Sequence, residues 1–122
     1  MSALPHVLLV EDSALVADAM RVLFEATGHR VSVAATVDEA VAAGTDAPVD
    51  VMLLDVSLGS EDGLRVLGLL RDRQATPGTT FAMTGHDDAE TVRRCLDAGC
   101  REVLLKPFPT RDLLRKVGEA VG

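Results

Sequence analysis

The sequence predicts an open α/β fold in which five parallel strands alternate with five helices. Three observations predict it. Apolar runs about four to six residues long alternate with stretches of helical period, with no internal repeat or low-complexity segment between them. One run, Val51-Met52-Leu53-Leu54, is apolar throughout, as a strand covered on both faces is. Four runs end in a polar residue able to do chemistry: Val7–Val10 in Glu11-Asp12, Val51–Leu54 in Asp55, Phe81–Met83 in Thr84, and Val103–Leu105 in Lys106. In an open parallel sheet such ends share one edge, where these folds bind ligands.

The first strand is expected over residues 6–10. Ser13 is a plausible N-cap for the first helix, whose inward face is expected to be Leu15, Val16, Ala19, Met20 and Leu23, with Gly28 as the stop. The second strand, 31–35, alternates Val31-Ser32-Val33 as an edge strand does. Thr36 caps a short helix over 37–44, closed by Gly44 and Pro48. The third strand, 50–54, is the expected centre of the sheet. A Gly-containing loop from Ser57 to Gly63 leads to a helix that turns Leu64, Leu67 and Leu70 inward. Pro77-Gly78 mark the turn before the fourth strand, 80–84. Asp87-Asp88 open the fourth helix, favourably for its dipole, and Gly99 ends it. The fifth strand is 102–105, and the last helix runs from Thr110 with Leu113, Leu114, Val117 and Val121 on one side. Right-handed crossovers place helices on both faces, and an edge-like second strand beside a central third favours the flavodoxin-like order 2-1-3-4-5. The expectation is a single domain over residues 1–122, with no output domain after the last helix.

Composition narrows the function. The chain has 122 residues, enough to fold as one domain without disulfides or a structural metal. It has three Phe and neither Tyr nor Trp, which disfavours a base-stacking or flavin platform. Twelve Lys plus Arg face 19 Asp plus Glu, a formal charge of −7, which repels a nucleic-acid backbone and suits cations or a basic partner. No run approaches the roughly 20 apolar residues of a membrane span, and the N-terminus lacks the basic flank and apolar segment of a signal peptide. The expected compartment is the cytoplasm, with no nucleic-acid or membrane partner. Cys95 and Cys100 have no zinc or CxxC spacing and read as buried thiols, with a redox role as the alternative.

In the order 2-1-3-4-5, Glu11, Asp12 and Asp55 end neighbouring strands. Two bare carboxylates about 4 Å apart repel by roughly 4 kcal/mol at an effective dielectric of 20, so three call for a cation. An oxygen-only, acidic ligand set suits Mg²⁺, which also holds phosphate oxygens. Asp55, at the end of the most buried strand, is then the nucleophile that accepts a phosphoryl group as an acyl phosphate. Glu11 and Asp12 hold the metal, while Lys106 pairs with a phosphoryl oxygen, or with Asp55 beforehand. Thr84 hydrogen-bonds another oxygen, and Gly85 leaves a backbone amide accessible. Taken singly, each residue has a plainer reading: a solvated helix start, a loop cap, a strand-end hydroxyl, a surface lysine.

The segments Val7–Ser13, Leu53–Leu58 with Asp62-Gly63, Met83-Thr84-Gly85 and Leu105–Phe108 together resemble a receiver domain of bacterial two-component response regulators, of the chemotaxis-regulator kind. The resemblance spans essentially the whole chain, and its specificity lies in all four segments occurring in order. It implies that Asp55 accepts a phosphoryl group from the phosphohistidine of a sensor histidine kinase or histidine phosphotransfer protein. It implies that Glu11, Asp12, Asp55 and the backbone carbonyl of Ser57 bind Mg²⁺ (or Mn²⁺), and that Thr84 and Lys106 contact the phosphoryl group. It also implies a cis Lys106–Pro107 peptide and a downstream protein that reads the face of helix 4, strand 5 and helix 5. Such a domain is a switch that catalyses only its own phosphorylation and dephosphorylation.

Three positions depart from that pattern. Val103 stands where many receivers carry Tyr or Phe, so the ring that swings inward is absent. Gly59 replaces the usual Pro after the acceptor loop, which predicts greater loop flexibility. Ser57 and His86 flank the pocket two residues after Asp55 and Thr84, and His86 either orders a water there or is simply solvated. An enzyme with an aspartyl-phosphate intermediate is the rival reading, but such enzymes commonly place an acidic residue where Ser57 stands. A docking-only receiver would have a damaged acidic pair or acceptor, and both are intact here. Neither GxGxxG nor GxxxxGK[ST] occurs, so a nucleotide-binding module is weakly supported.

Overall fold

The computed structural model describes residues 4–86 and 88–121. Five strands, β1 (His6–Val10), β2 (Arg30–Ala34), β3 (Val51–Asp55), β4 (Thr79–Thr84) and β5 (Glu102–Leu105), form one sheet. All its pairings are parallel, in the order β2-β1-β3-β4-β5. Five helices alternate with them: α1 (Ala14–Ala26), α2 (Val37–Asp46), α3 (Arg65–Asp72), α4 (Ala89–Asp97) and α5 (Thr110–Val121). The expected strand order and alternation therefore hold. Asp87, expected to open α4 together with Asp88, lies outside the described residues.

The period-two alternation of the strands divides the core into two layers. Val7, Leu9, Val51, Leu53, Phe81 and Met83 pack on one face against Ala17 and Phe24 of α1 and Leu113 and Val117 of α5. On the other face Leu8, Val10, Met52, Leu54 and Ala82 meet α2, α3 and Cys95 of α4. The central strands β1 and β3 are buried along their whole length, as the apolar run in β3 predicts.

Two local expectations fail for identifiable reasons. In α1 the buried residues are Ala17 and Phe24, with Met20 and Leu23 half-buried, while Leu15 (83 % exposed), Val16 and Ala19 face outward. Phe24 carries the most buried volume, so its direction sets the helix's rotation, and Ala17 and Met20 follow it at spacings of seven and four. In α2, Gly44 lies inside the helix, which continues to Asp46. A Cβ there would come within 2.8 Å of the Leu70 side chain, so this glycine serves close packing of α2 on α3. Elsewhere the caps follow the sequence: Ser13, Thr36 and Asp88 each accept an amide hydrogen bond three residues on, and Gly28 and Gly99 adopt positive φ just past their helices.

The segment after β3 is more ordered than a loop. Ser57–Leu58 pairs antiparallel with Glu61–Asp62, making a ribbon that turns at Gly59-Ser60. Gly59 has φ +58° and Ser60 does not share a positive φ, the pattern of a type II′ hairpin, whose first central position favours glycine. The turn itself explains glycine where the related pattern has proline, since proline's ring holds φ near −65°.

Candidate functional site

Strand register builds the site. Val10 pairs with Leu54, so Glu11, one residue on, lies opposite Asp55, and Glu11 stays in line because its amide bonds the Ala34 carbonyl at 2.9 Å. Asp55 pairs with Met83, which sets Thr84 one step further along, and the Lys106 amide bonds the Thr84 carbonyl at 2.7 Å. The alternation that sends Leu9, Leu53 and Leu104 toward α1 and α5 directs Glu11, Asp55 and Lys106 to that same side. Thr84 falls on the opposite side, with Ala82. Four strand ends thus meet on one edge, as the sequence predicts.

Lys106 joins the acids. Its ammonium donates to Asp55 Oδ2 at 3.0 Å and to Glu11 Oε1 at 3.2 Å. Asp55 and Glu11 are buried, whereas Lys106 is about one-third exposed. Partial burial works against the Lys106 charge, but the hydrogen bonds and charges of Asp55 and then Glu11 outweigh it and hold its pKa above the ordinary lysine value. The second oxygens are also engaged: the Ser57 amide donates to Asp55 Oδ1 at 3.0 Å, and the Ser13 amide to Glu11 Oε2 at 3.3 Å. Among the described residues no buried side-chain nitrogen or oxygen lacks a partner. The pairing of Lys106 with Asp55 was expected; its bond to Glu11 was not, because residues 95 positions apart carry no local signal of contact.

One ligand atom each of Glu11, Asp12 and Asp55 lies within 4.8 Å of the others. Three carboxylates against one ammonium leave negative charge in excess. The donor set is all oxygen and fits a hard divalent cation of the Mg²⁺ type rather than a soft one. Thr84 is buried, and its hydroxyl accepts the His86 amide at 3.1 Å. Gly85 and His86 are exposed, with open space around Gly85.

Several supporting residues become visible only in three dimensions. Gly63 donates its amide to the Val56 carbonyl at 2.7 Å, and a Cβ there would fall 1.9 Å from the Asp55 carbonyl oxygen. This glycine lets the ribbon fold back under Asp55. Asp62 accepts Arg94 of α4 at 2.7 Å, and Glu61 accepts the amide of Val37 at the start of α2 at 3.1 Å. The sequence singles out neither contact, because Val37 and Arg94 belong to other elements. The Lys106–Pro107 peptide is cis, as the resemblance implies. Both cysteines are buried and unpaired. Burial pushes the Cys95 thiol up and takes Cys100 to about 12, which favours the protonated thiol at both. A hollow of about 350 Å³ lies between α4 and β5, lined by His86, Val92, Leu96, Val103 and Leu105 among others. No described helix is long and apolar enough to cross a membrane.

Known proteins share this fold. The family model described as the response regulator receiver domain matches residues 7–118. The transcriptional regulatory protein ResD of Bacillus subtilis (strain 168) is 31% identical over 111 residues, covering 91% of this chain and 45% of that protein. The sensor histidine kinase AruS of Pseudomonas aeruginosa is 38% identical over 119 residues, covering 93% of this chain and 12% of that protein. The chain therefore spans half or less of the length of these curated relatives. Among solved structures, a CheY-like receiver domain protein from Methanospirillum hungatei JF-1 superimposes with a TM-score of 0.87 at 28% identity, covering 98% of this chain and 94% of that one. The receiver domain of a sensor histidine kinase from Pseudomonas aeruginosa PAO1, with a magnesium ion coordinated in its active site cleft, gives 0.84 at 26% identity and 99% coverage of both chains. With the sheet order, the strand-end acids and a match along nearly the whole sequence in agreement, the chain belongs to the response regulator receiver domain family.

Proposed function

We propose that this receiver works in two-component signalling by accepting a phosphoryl group on Asp55, and that Glu11, Asp12, Thr84 and Lys106 serve that transfer. The observation that carries the reading is the position of Asp55: buried at the end of β3, held by Lys106 at 3.0 Å, with the acid pair beside it. The donor is a phosphohistidine on a sensor histidine kinase or a histidine phosphotransfer protein. An Asp55 carboxylate oxygen attacks the phosphorus in line, an O–P bond forms, the N–P bond breaks, and the histidine nitrogen leaves with the electron pair.

A divalent cation, Mg²⁺ or Mn²⁺, held by Glu11, Asp12, Asp55 and the Ser57 backbone carbonyl, supplies neutralisation of the phosphoryl oxygens when bound. The chain's own residues do the rest. Lys106 already carries its charge at the acceptor and moves from the carboxylate to a phosphoryl oxygen without crossing the site. A hydroxyl has one donor and two acceptor positions, so Thr84 donates to a phosphoryl oxygen once its side chain turns inward. Phosphorylation adds about −1.5 to −2 charge and draws the segments after β3 and β4 toward it. The downstream reader is a protein that meets the face of α4, β5 and α5, where the apolar hollow lies. The acidic composition disfavours a nucleic-acid partner, and the chain acts on no separate substrate.

Incubation with Mg²⁺ and acetyl phosphate, followed by intact-mass measurement, tests this. Wild type gains one phosphoryl mass, and Asp55→Asn gains none. An adduct of equal occupancy on Asp55→Asn contradicts the assignment.

A further inference from the structure

We infer that the backbone amide of Gly59 is a positioning group for Asp12, fixing its carboxylate for the cation; the inference rests on the reading of Asp12 as a cation ligand. Asp12 follows β1, is exposed, and has no strand pairing to hold it. Its one described hydrogen bond comes from across the site: the Gly59 amide donates to Asp12 Oδ2 at 3.1 Å, 47 residues away in sequence. That amide points there because Gly59 opens the turn of the ribbon at φ +58°, a conformation closed to proline and unfavourable for most side chains. A carboxylate accepts at both oxygens, so Oδ2 can hold the amide while Oδ1 turns to the cation.

The ribbon is itself tied down along its second strand. Glu61 accepts the Val37 amide at 3.1 Å and Asp62 accepts Arg94 at 2.7 Å, so the turn is held in place against α2 and α4. Its first strand contains Ser57, whose carbonyl is a proposed ligand, and its tip orients Asp12. One short element thereby sets two ligands of the same ion. Where the related pattern has proline, this amide does not exist. Gly59 thus acts as a constraint on the site, the reverse of the flexibility that a glycine in an acceptor loop predicts.

The test measures the Mg²⁺ dissociation constant directly, by titration of the unphosphorylated full chain followed by amide NMR. Gly59→Pro removes the N–H and is expected to weaken Mg²⁺ by about tenfold, the scale of a lost hydrogen bond to a charged acceptor. Gly59→Asn keeps the N–H and tolerates positive φ, and the space beside Asp12 admits its Cβ at 3.8 Å, so its affinity is expected to stay within about twofold of wild type, the small residual strain of Asn at this φ. Proline that binds as tightly as wild type, or asparagine that binds as weakly as proline, overturns the inference. Should Gly59→Pro fail to fold, wild type decides. The Gly59 amide is expected to be protected from hydrogen exchange, to remain so at saturating Mg²⁺, and to lose protection in Asp12→Ala. Faster exchange on adding Mg²⁺ would mean that the cation pulls Asp12 away, and would overturn the inference. Wild type that binds no Mg²⁺ at all overturns the cation-ligand reading and this inference with it; a proline variant that binds normally beside a wild type that binds overturns this inference alone.

Discussion

Asp55, the proposed acceptor, has its backbone packed closely against a residue without a side chain. Gly63 is the clearest case: its amide returns to Val56 at 2.7 Å, and its missing side chain leaves the Asp55 carbonyl unobstructed. Backbone cannot move aside as a flexible side chain does. Gly63→Ala is therefore expected to destabilise the fold by about 1–3 kcal/mol, the range for overpacking a dense site. Urea unfolding checks it, with the midpoint falling and the slope unchanged; an unchanged midpoint would show that the ribbon has slack there. The side chains proposed to act, Glu11, Asp12, Asp55, Thr84 and Lys106, stand out in the sequence because they follow the ends of apolar runs. Gly63 is legible only as part of the Asp62-Gly63 segment that carries the resemblance, and Gly59 misleads, because sequence shows a glycine's freedom but not the hydrogen bond that removes it.

At the scale of elements, the strands are easier to read than the helix faces. Strands β1 and β3 each carry an unbroken run of four apolar residues, so neither their existence nor their place depends on knowing which side faces which layer. Helix α1 offers two apolar stripes, and periodicity cannot choose between them. Leu15, Val16 and Ala19 form one, but Phe24 belongs to the other and takes it into the core. The exposed Leu15 and Val22 are left on the outside. The same scale holds the question of output. Val103 is half-buried and supplies no ring, and the space between α4 and β5 remains as an apolar hollow rimmed by Leu96 and Leu105. Under the proposed function, a change at Asp55 reaches this face through Thr84, whose hydroxyl holds the His86 amide at 3.1 Å, and through Asp62, tied to Arg94 of α4. Amide NMR with a phosphoryl mimic is expected to show its largest shifts at residues 84–86 and around Arg94, with smaller ones at Val103. Shifts centred on Val103 would show that the missing ring is not what limits transmission.

Across the whole molecule, the sheet order is the link between sequence and chemistry. With β1 beside β3 and β4 beside β5, the carboxylates, the hydroxyl and the ammonium fall on one edge; any order that separated β1 from β3 would part Glu11 from Asp55 and undo the proposed cation site. An edge-like second strand and a buried third favour that order without fixing it, and the structure has it. The connections that tie the ribbon to α2, α4 and Asp12 were not legible in the sequence, because each pairs residues from separate elements with no shared pattern. A structure determined with Mg²⁺ and beryllofluoride tests the central claim most directly. The fluoroberyllate group should sit on Asp55 with Lys106 and Thr84 in contact, and the cation should be held by Asp12 and Asp55, with Glu11 beside it directly or through water. A fluoroberyllate on any other residue, or a cation bound away from Glu11 and Asp12, would contradict it.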